Sequence, residues 1–365
     1  MNRYARRLQS WTGAFAAAAI IAAGTPAAAQ APASSAAVAE MVRTYAADHD
    51  FNGTVLVARD GEVLTFESFG LAERAFGVPA ANDTRYWIAS VTKLFTSALI
   101  MQMVERGEIG LQAPVRTYLP DFAGDPSITV HSLLNHTSGL PNPDAGADPT
   151  KGVPMYQLPH TPAQLVADYA SAPLAHPVGT HFDYSNADYY VLGRIIEVVS
   201  GQPFEEVLKA RILTPLGMPD SGMLRQSDII PRLASSYFRM GDDQPLINDL
   251  PVYNENWFAG GGMYSDADDL LTFAEALYGG RVVSAESLQR MLTPGLDDYG
   301  YGQWIWDIEA GGRKYPTYVR FGGVMGANAV LFRVGEANVT VVILSNTNLT
   351  DMGSFGRKVA EKVLE

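Results

Sequence analysis

The stretch from Ser90 to Arg106 constrains this chain more than any other. Val91, Leu94, Phe95, Ala98, Leu99, Ile100, Met101, Met103 and Val104 leave almost no polar side to a helix here. A helix apolar all round has no surface face, so it must run through the middle of a sizeable core. Lys93 is the exception in that stretch. An ammonium inside a core is rare unless it is paired or used. Ser90 lies three residues before Lys93 and shares its helical face. Burial disfavours the charged amine, so Lys93 can accept a proton near neutral pH. The start of a helix also leaves backbone N–H groups free, and one beside Ser90 can help bind an oxyanion.

Two further segments carry chemistry. Tyr184-Ser185-Asn186 sits in a loop just before a helix predicted over Asn186 to Ser200. A tyrosine near a lysine can act as a phenolate base or relay a proton to a leaving group. Asn186 offers a donor and an acceptor to a substrate amide. Which of Lys93 and Tyr184 takes the proton is open at the level of sequence. The second segment, singled out by the family resemblance set out below, is Arg320-Phe321-Gly322-Gly323-Val324, at the end of a predicted strand. Its glycines let the backbone approach a substrate closely. An N–H from Gly323 or Val324 could complete an oxyanion hole with that of Ser90.

The six histidines contain no H-E-x-x-H or H-x-H spacing, and the chain has no cysteine. No metal site or organic cofactor is implied, and no disulfide or thiol nucleophile is possible.

The element pattern is helix, strands, a long helical middle, strands, helix. A helix is expected from Val38. A hairpin follows, Thr54 to Arg59 and Val63 to Ser68, around Asp60-Gly61. Helices are expected at Ser90 to Arg106, Pro162 to Ser171, Asn186 to Ser200, Pro203 to Ile212 and Asp266 to Tyr278, with a loop at Pro141 to Thr161. Strands return at Tyr318 to Phe321, Ala329 to Val334 and Val339 to Leu344, before a last helix from Asp351 to Glu365. This order predicts an α+β fold: an antiparallel sheet built from both ends of the chain, covered by the terminal helices, with a helical domain inserted. The sheet part spans roughly residues 38–85 and 280–365, the helical part roughly 86–279, and the active site lies between them.

The first residues read as an export signal. Arg3, Arg6 and Arg7 precede an apolar run from Trp11 to Ala23, and Ala27-Ala28-Ala29 offers a cleavage site. Residues 1–29 are thus expected to be a signal peptide and residues 30–365 the mature, periplasmic or secreted domain. The run is too short to span a bilayer comfortably, so no membrane span is expected after cleavage. The formal net charge is −13, and losing three arginines makes it more negative. Such a chain repels nucleic acid and anionic lipid.

Ser90-Val91-Thr92-Lys93 followed by Tyr184-Ser185-Asn186 resembles the first two motifs of class C β-lactamases and of the related D-Ala-D-Ala carboxypeptidases and serine esterases. Leu133 to Pro141 (LLNHTSGLP), Pro215 to Met218 (PLGM) and Ala259-Gly260-Gly261-Gly262 with Ser265, Asp269-Leu270 and Phe273 resemble further segments of that group, in order, over nearly the whole mature chain. The resemblance implies the β-lactamase-like fold, Ser90, Lys93 and Tyr184 as catalytic residues, and His136, Thr137 and Ser138 as a structural loop. It also implies a small ester, β-lactam or peptide as substrate. Asn186, Arg320, Phe321, Gly322, Gly323 and Val324 are its expected substrate-binding residues. The third motif departs from the group's Lys/His-Thr/Ser-Gly. Either Arg320-Phe321-Gly322 keeps the cation and loses the hydroxyl, or Phe321-Gly322-Gly323 puts an aromatic at the cation's position. A phenyl ring in the site favours an apolar ester over a substrate carboxylate, so esterase-like activity is the expectation, ahead of β-lactamase or carboxypeptidase activity. A catalytically dead sensor that recognises penicillin is the reading from another class.

Overall fold

A computed structural model describes residues 34–145, 154–241 and 243–365. The expected export signal lies outside the described residues. Among those that are described, no helix is long and apolar enough to cross a membrane.

The order of elements follows the pattern read from the sequence. Helix α1 (Ser35–Asp48) leads into strands β1 (Gly53–Arg59) and β2 (Glu62–Phe69). The middle contains α2 (Thr92–Glu105), α3 (Pro162–Tyr169), α4 (Asn186–Ser200) and α5 (Ala267–Tyr278). Strands β3 (Trp304–Ala310), β4 (Arg313–Val324), β5 (Ala327–Val334) and β6 (Val339–Ser345) precede the closing helix α6 (Met352–Leu364). The six strands form one sheet in the order β3-β4-β5-β6-β1-β2. All five neighbouring pairs are antiparallel, and β1 joins β6 with Gly53 opposite Ser345 and Arg59 opposite Val339. The α+β architecture with a sheet drawn from both ends of the chain is therefore as expected.

Both faces of this sheet are buried, which is why its inner strands read as continuous apolar runs. Alternate residues of a strand point to opposite faces. Val55 and Val57 pack with Val38, Val42 and Tyr45 of α1 and with Phe355, Val359 and Val363 of α6. Leu56, Ala58, Leu331 and Val342 join the larger core that holds α2, α4 and α5. Each fully buried aliphatic or phenyl side chain is worth about 1.5–3 kcal/mol, so two such layers sustain the fold without covalent cross-links.

Several short elements escaped the sequence reading, among them an edge strand and two short helices, and β4 is longer than expected. Strand β3 is an edge strand in which only Ile308 and Ala310 are buried, so its pattern is weak. The short helices Val130–Leu134 and Ala285–Met291 carry too few residues for a period to register. The part of β4 from Arg313 showed no strand pattern because its first residues are exposed or half-exposed.

Candidate active site

Helix α2 is indeed buried, from Thr92 to Met103. The α-helix proper starts at Thr92, however, and Ser90 sits ahead of it in a single 3-10 turn, Ala89–Val91. Ala89 has a left-handed backbone, φ 45°. That conformation costs a residue with a Cβ of order 1 kcal/mol and is typical of functional turns.

Ser90 Oγ has two polar neighbours from different elements. Lys93 Nζ donates to it at 3.1 Å, and the Tyr184 hydroxyl meets it at 2.9 Å. Lys93 is fully buried. Its Nζ also donates to Asn186 Oδ1 and to the Gly260 carbonyl, each at 2.7 Å. These acceptors satisfy all three hydrogens of an ammonium. Asn186 is delivered by the start of α4, whose N-cap Ser185 accepts from the Ala187 N–H.

Arg320 holds the opposite wall. It is 1% exposed. Its Nε donates to the Ser90 carbonyl at 2.6 Å, Nη1 to the Tyr299 hydroxyl at 2.7 Å, and Nη2 to the Tyr184 hydroxyl at 2.7 Å. Tyr184 thus lies between two cations. Burial alone would raise its phenol, but Arg320 and Lys93 outweigh that and bring it down to about 8. Burial lowers Lys93 to about 8, with Tyr184 opposing and Arg320 adding to the shift.

Gly322 explains why the strand wall needs glycine. A Cβ there would lie 2.2 Å from the Ile88 carbonyl oxygen and 3.2 Å from the Ser90 nitrogen. Strand β3 pairs with β4 only up to Val319, so from Arg320 onward that edge of β4 has no strand beside it.

The structure places the expected binding residues in different settings, and Phe321 needs correction. Phe321 is on the wrong face: the alternation of β4 sends it, with Val319, toward α6, where its ring stacks on Trp306 and lies beside Gly353. It cannot fill the site beside Ser90. Arg320, of the two possible registers the cation one, does face Ser90, but its guanidinium is sealed in and bonded to protein groups, which leaves it no access to a substrate. Asn186 likewise spends Oδ1 on Lys93, and its Nδ2 donates to Asp144 Oδ2 at 3.3 Å. Gly323 has only Asn328 Oδ1 near its Cβ position, at 3.4 Å, and Val324 packs against the larger core.

The sequence reading missed Gly260, whose carbonyl anchors Lys93, and Tyr299, which anchors Arg320. Gly260 stood in the Ala-Gly-Gly-Gly run, a signal of close backbone approach. Tyr299 stands in an irregular segment with no periodic signal at all.

Comparison with known proteins finds relatives over most of the chain. The Beta-lactamase family model matches residues 38–363. Esterase EstB of Burkholderia gladioli is 31% identical, over 80% of this chain and 85% of its own. Penicillin-binding protein 4 of Amycolatopsis lactamdurans is 30% identical, over 82% of each chain. The crystal structure of a penicillin binding protein from Bacillus halodurans superposes with a TM-score of 0.76 at 30% identity, covering 88% of this chain and 98% of that one.

Proposed function

The chain belongs to the beta-lactamase family of serine hydrolases, and on that footing we propose that it is an exported esterase that works through an acyl-Ser90 intermediate on uncharged esters. The observation that carries the substrate preference is the sealed Arg320 guanidinium. A β-lactam or D-Ala-D-Ala substrate brings a carboxylate that needs a cationic or donor partner. Arg320 directs its donors to Ser90, Tyr299 and Tyr184 instead. The ester preference first read from Phe321 thus rests on the residue before it.

The reaction follows from the three groups around Oγ. The acceptors of Lys93 Nζ favour its charged form, and the two flanking cations favour a phenolate at Tyr184. Tyr184 takes the proton of Ser90 as Oγ attacks the ester carbonyl. The oxyanion accepts from the Ser90 N–H and from a β4 N–H. Successive N–H groups of a strand alternate in direction, so one of Gly323 and Val324 points to the open edge. Collapse expels the alkoxide, which leaves as the alcohol with the proton held on Tyr184. Water then attacks the acyl-enzyme with Tyr184 taking its proton, and as the acid leaves Tyr184 returns that proton to Ser90 Oγ, which restores both groups. The basic n-region, apolar run and Ala-rich cleavage site support export to the periplasm or medium.

The test compares kcat/KM for p-nitrophenyl butyrate, nitrocefin and a D-Ala-D-Ala peptide on one preparation of the mature protein. A missing charge-assisted contact to the carboxylate costs about 1.5–3 kcal/mol, roughly ten- to a hundredfold. The ester should lead by at least that margin. A lead for nitrocefin or the peptide would move the protein to the lactamase or carboxypeptidase side, and acylation without turnover would make it a sensor.

A further inference from the structure

The strand that passes Ser90 turns back in a conformation its residues do not favour. Strand β4 pairs with β5 up to Val324 opposite Ala327, so Met325 and Gly326 alone make the turn. Met325 has a left-handed φ of 48°, while Gly326, one residue too late to relieve it, does not. Two-residue hairpin turns place glycine, asparagine or aspartate at such a position, because a longer side chain costs of order 1 kcal/mol there. Strain of this kind persists only where the surroundings fix it.

The surroundings come from a distant loop. A short hairpin, Tyr237–Phe238 with Ile247–Asn248, lies against the turn. A Cβ at Gly326 would lie 2.3 Å from the Tyr237 carbonyl oxygen, so only glycine allows this approach. Tyr237 is itself anchored. Its N–H donates to the Asn346 carbonyl at 2.9 Å, and its hydroxyl to Glu73 Oε1 at 2.8 Å. Asp249 follows the hairpin directly, and its N–H donates to the Ser236 carbonyl at 3.2 Å. Its Oδ1 accepts the Gly326 N–H at 2.9 Å, the one hydrogen bond that this carboxyl makes among the described residues. Burial raises the Asp249 carboxyl to about 6, with the Gly326 N–H pulling the other way. It is therefore ionised near pH 8, where Tyr184 acts as base, and the bond to Gly326 is charge-assisted.

We propose that Asp249 is a positioning residue: it grips the strained Met325-Gly326 turn and so fixes where the last N–H groups of β4 point. The inference rests on the reading of a β4 N–H as the second oxyanion donor. Gly323 and Val324, the two candidates for that donor, immediately precede the turn. From Arg320 onward β4 has β5 on one side and no strand on the other, so the turn is the anchor nearest to the donor. Without the grip of Asp249, Met325 relaxes toward an ordinary φ. A rotation there tilts the peptide that joins it to Val324. An oxyanion donor acts on charge that develops only as the carbonyl is attacked, so its displacement lowers kcat and leaves KM in place.

The experiment is a double-mutant cycle between Asp249 and Met325, with a thermal melt of each variant. Kinetics are read on whichever of p-nitrophenyl butyrate, nitrocefin and the peptide turns over fastest, so an error in substrate class does not touch the result. Asp249→Ala should lower kcat about tenfold, short of the 10²–10³ that outright loss of a donor costs. Its KM should stay within about twofold of wild type. Asp249→Asn keeps an oxygen acceptor for Gly326 and should recover most of the loss. Met325→Gly removes the strain, so in the Asp249→Ala background it should bring kcat back to within about threefold of wild type. Butylboronic acid, whose adduct with Ser90 is tetrahedral, should bind Asp249→Ala about tenfold more weakly than wild type. Should Asp249→Ala not fold, Asp249→Ser, too short to reach Gly326, takes its place in every comparison. An unchanged kcat, a loss that falls on KM, or strictly additive effects of the two substitutions would overturn the proposal. Unchanged affinity for the boronic acid in Asp249→Ala rejects this inference alone. Failure of the boronic acid to bind wild type rejects the acyl-Ser90 reading and this inference with it.

Discussion

Two walls meet at Ser90, and each brings one buried cation. On the helix wall, Lys93 is wrapped by acceptors from three separate segments. On the strand wall, Arg320 reaches the Ser90 carbonyl and two tyrosine hydroxyls. Lysine sheds its proton when burial lowers it, and Lys93 stands at about 8. Arginine does not lose its proton in proteins. The helix wall therefore supplies groups that titrate, and the strand wall supplies a charge that never changes. Tyr184 lies between the two and inherits a lowered pKa from both.

The largest effect should come from the helix wall. Ser90→Ala removes the atom that forms the acyl bond and should cut turnover by at least about a thousandfold. Lys93→Met keeps the volume and loses the charge. It should cost about a hundredfold or more, because Tyr184 loses one of the two cations that hold its pKa down, and Ser90 loses a donor. Thermal melts must accompany both, because Lys93 lies in a packed helix. Full activity in a folded Ser90→Ala would remove the helix wall from the chemistry.

The two walls were not equally legible. Ser90 and Lys93 could be read because α2 is a continuous apolar segment, against which one lysine stands out. Tyr184-Ser185-Asn186 could be read because it stands where a helix begins, with Ser185 as its cap. The fold as a whole could be read because both sheet faces are buried and the strands are apolar runs. The strand wall could not. Which face of a strand looks at the site depends on a register that shifts by one residue without altering composition, and a one-residue error exchanges every side chain between faces. That is how Phe321 came to stand for Arg320. The partners of Arg320 were hidden for a different reason: Tyr299 comes from irregular chain, and the Ser90 carbonyl carries no sequence signal.

Gly322 and Gly323 test the strand wall at the next level of effect. A methyl group at Gly322 would strike the Ile88 carbonyl and crowd the Ser90 amide. Displacing a reacting group by about 1 Å can cost a hundredfold, so Gly322→Ala should lose about that in kcat. At Gly323 the same methyl meets only Asn328 Oδ1 at 3.4 Å. Gly323→Ala should stay within about threefold of wild type. Equal losses at the two positions would mean that the close approach at Gly322 does not matter.

Arg320→Met tests the fixed charge. Arg320 lowers both Tyr184 and Lys93. A base works in its deprotonated form, so activity should be present above about 8 and fall as pH drops through it. Without the guanidinium, either group holds its proton more tightly, and the acid limb of kcat/KM moves to higher pH. Activity at pH 7 should fall about tenfold and recover as the pH is raised. Arg320→Lys keeps a charge and should move the limb less. An acid limb that stays in place in Arg320→Met would show that the strand wall does not set the base.

The smallest effect on catalysis belongs to Phe321, one residue along the same strand. Its ring faces α6 and stacks on Trp306 with ring centres 6.2 Å apart. Its link to the site is indirect, through Trp304, whose ring lies 6.0 Å from that of Phe321 and also neighbours Tyr184 and Arg320, so a change at Phe321 acts through packing. Phe321→Thr removes most of a ring that is only partly buried, which should cost about 1–3 kcal/mol of stability and lower the melting temperature. The ratio of kcat/KM for p-nitrophenyl butyrate to that for nitrocefin should stay within about twofold, because both substrates meet the same unaltered wall. The same ratio measured in Arg320→Lys sharpens the contrast, since a shorter cation at that position gives up the three-way brace and frees a donor for a substrate carboxylate. A ratio that changes in Phe321→Thr but not in Arg320→Lys would reverse the assignment of the two faces of β4, and with it the argument for uncharged esters.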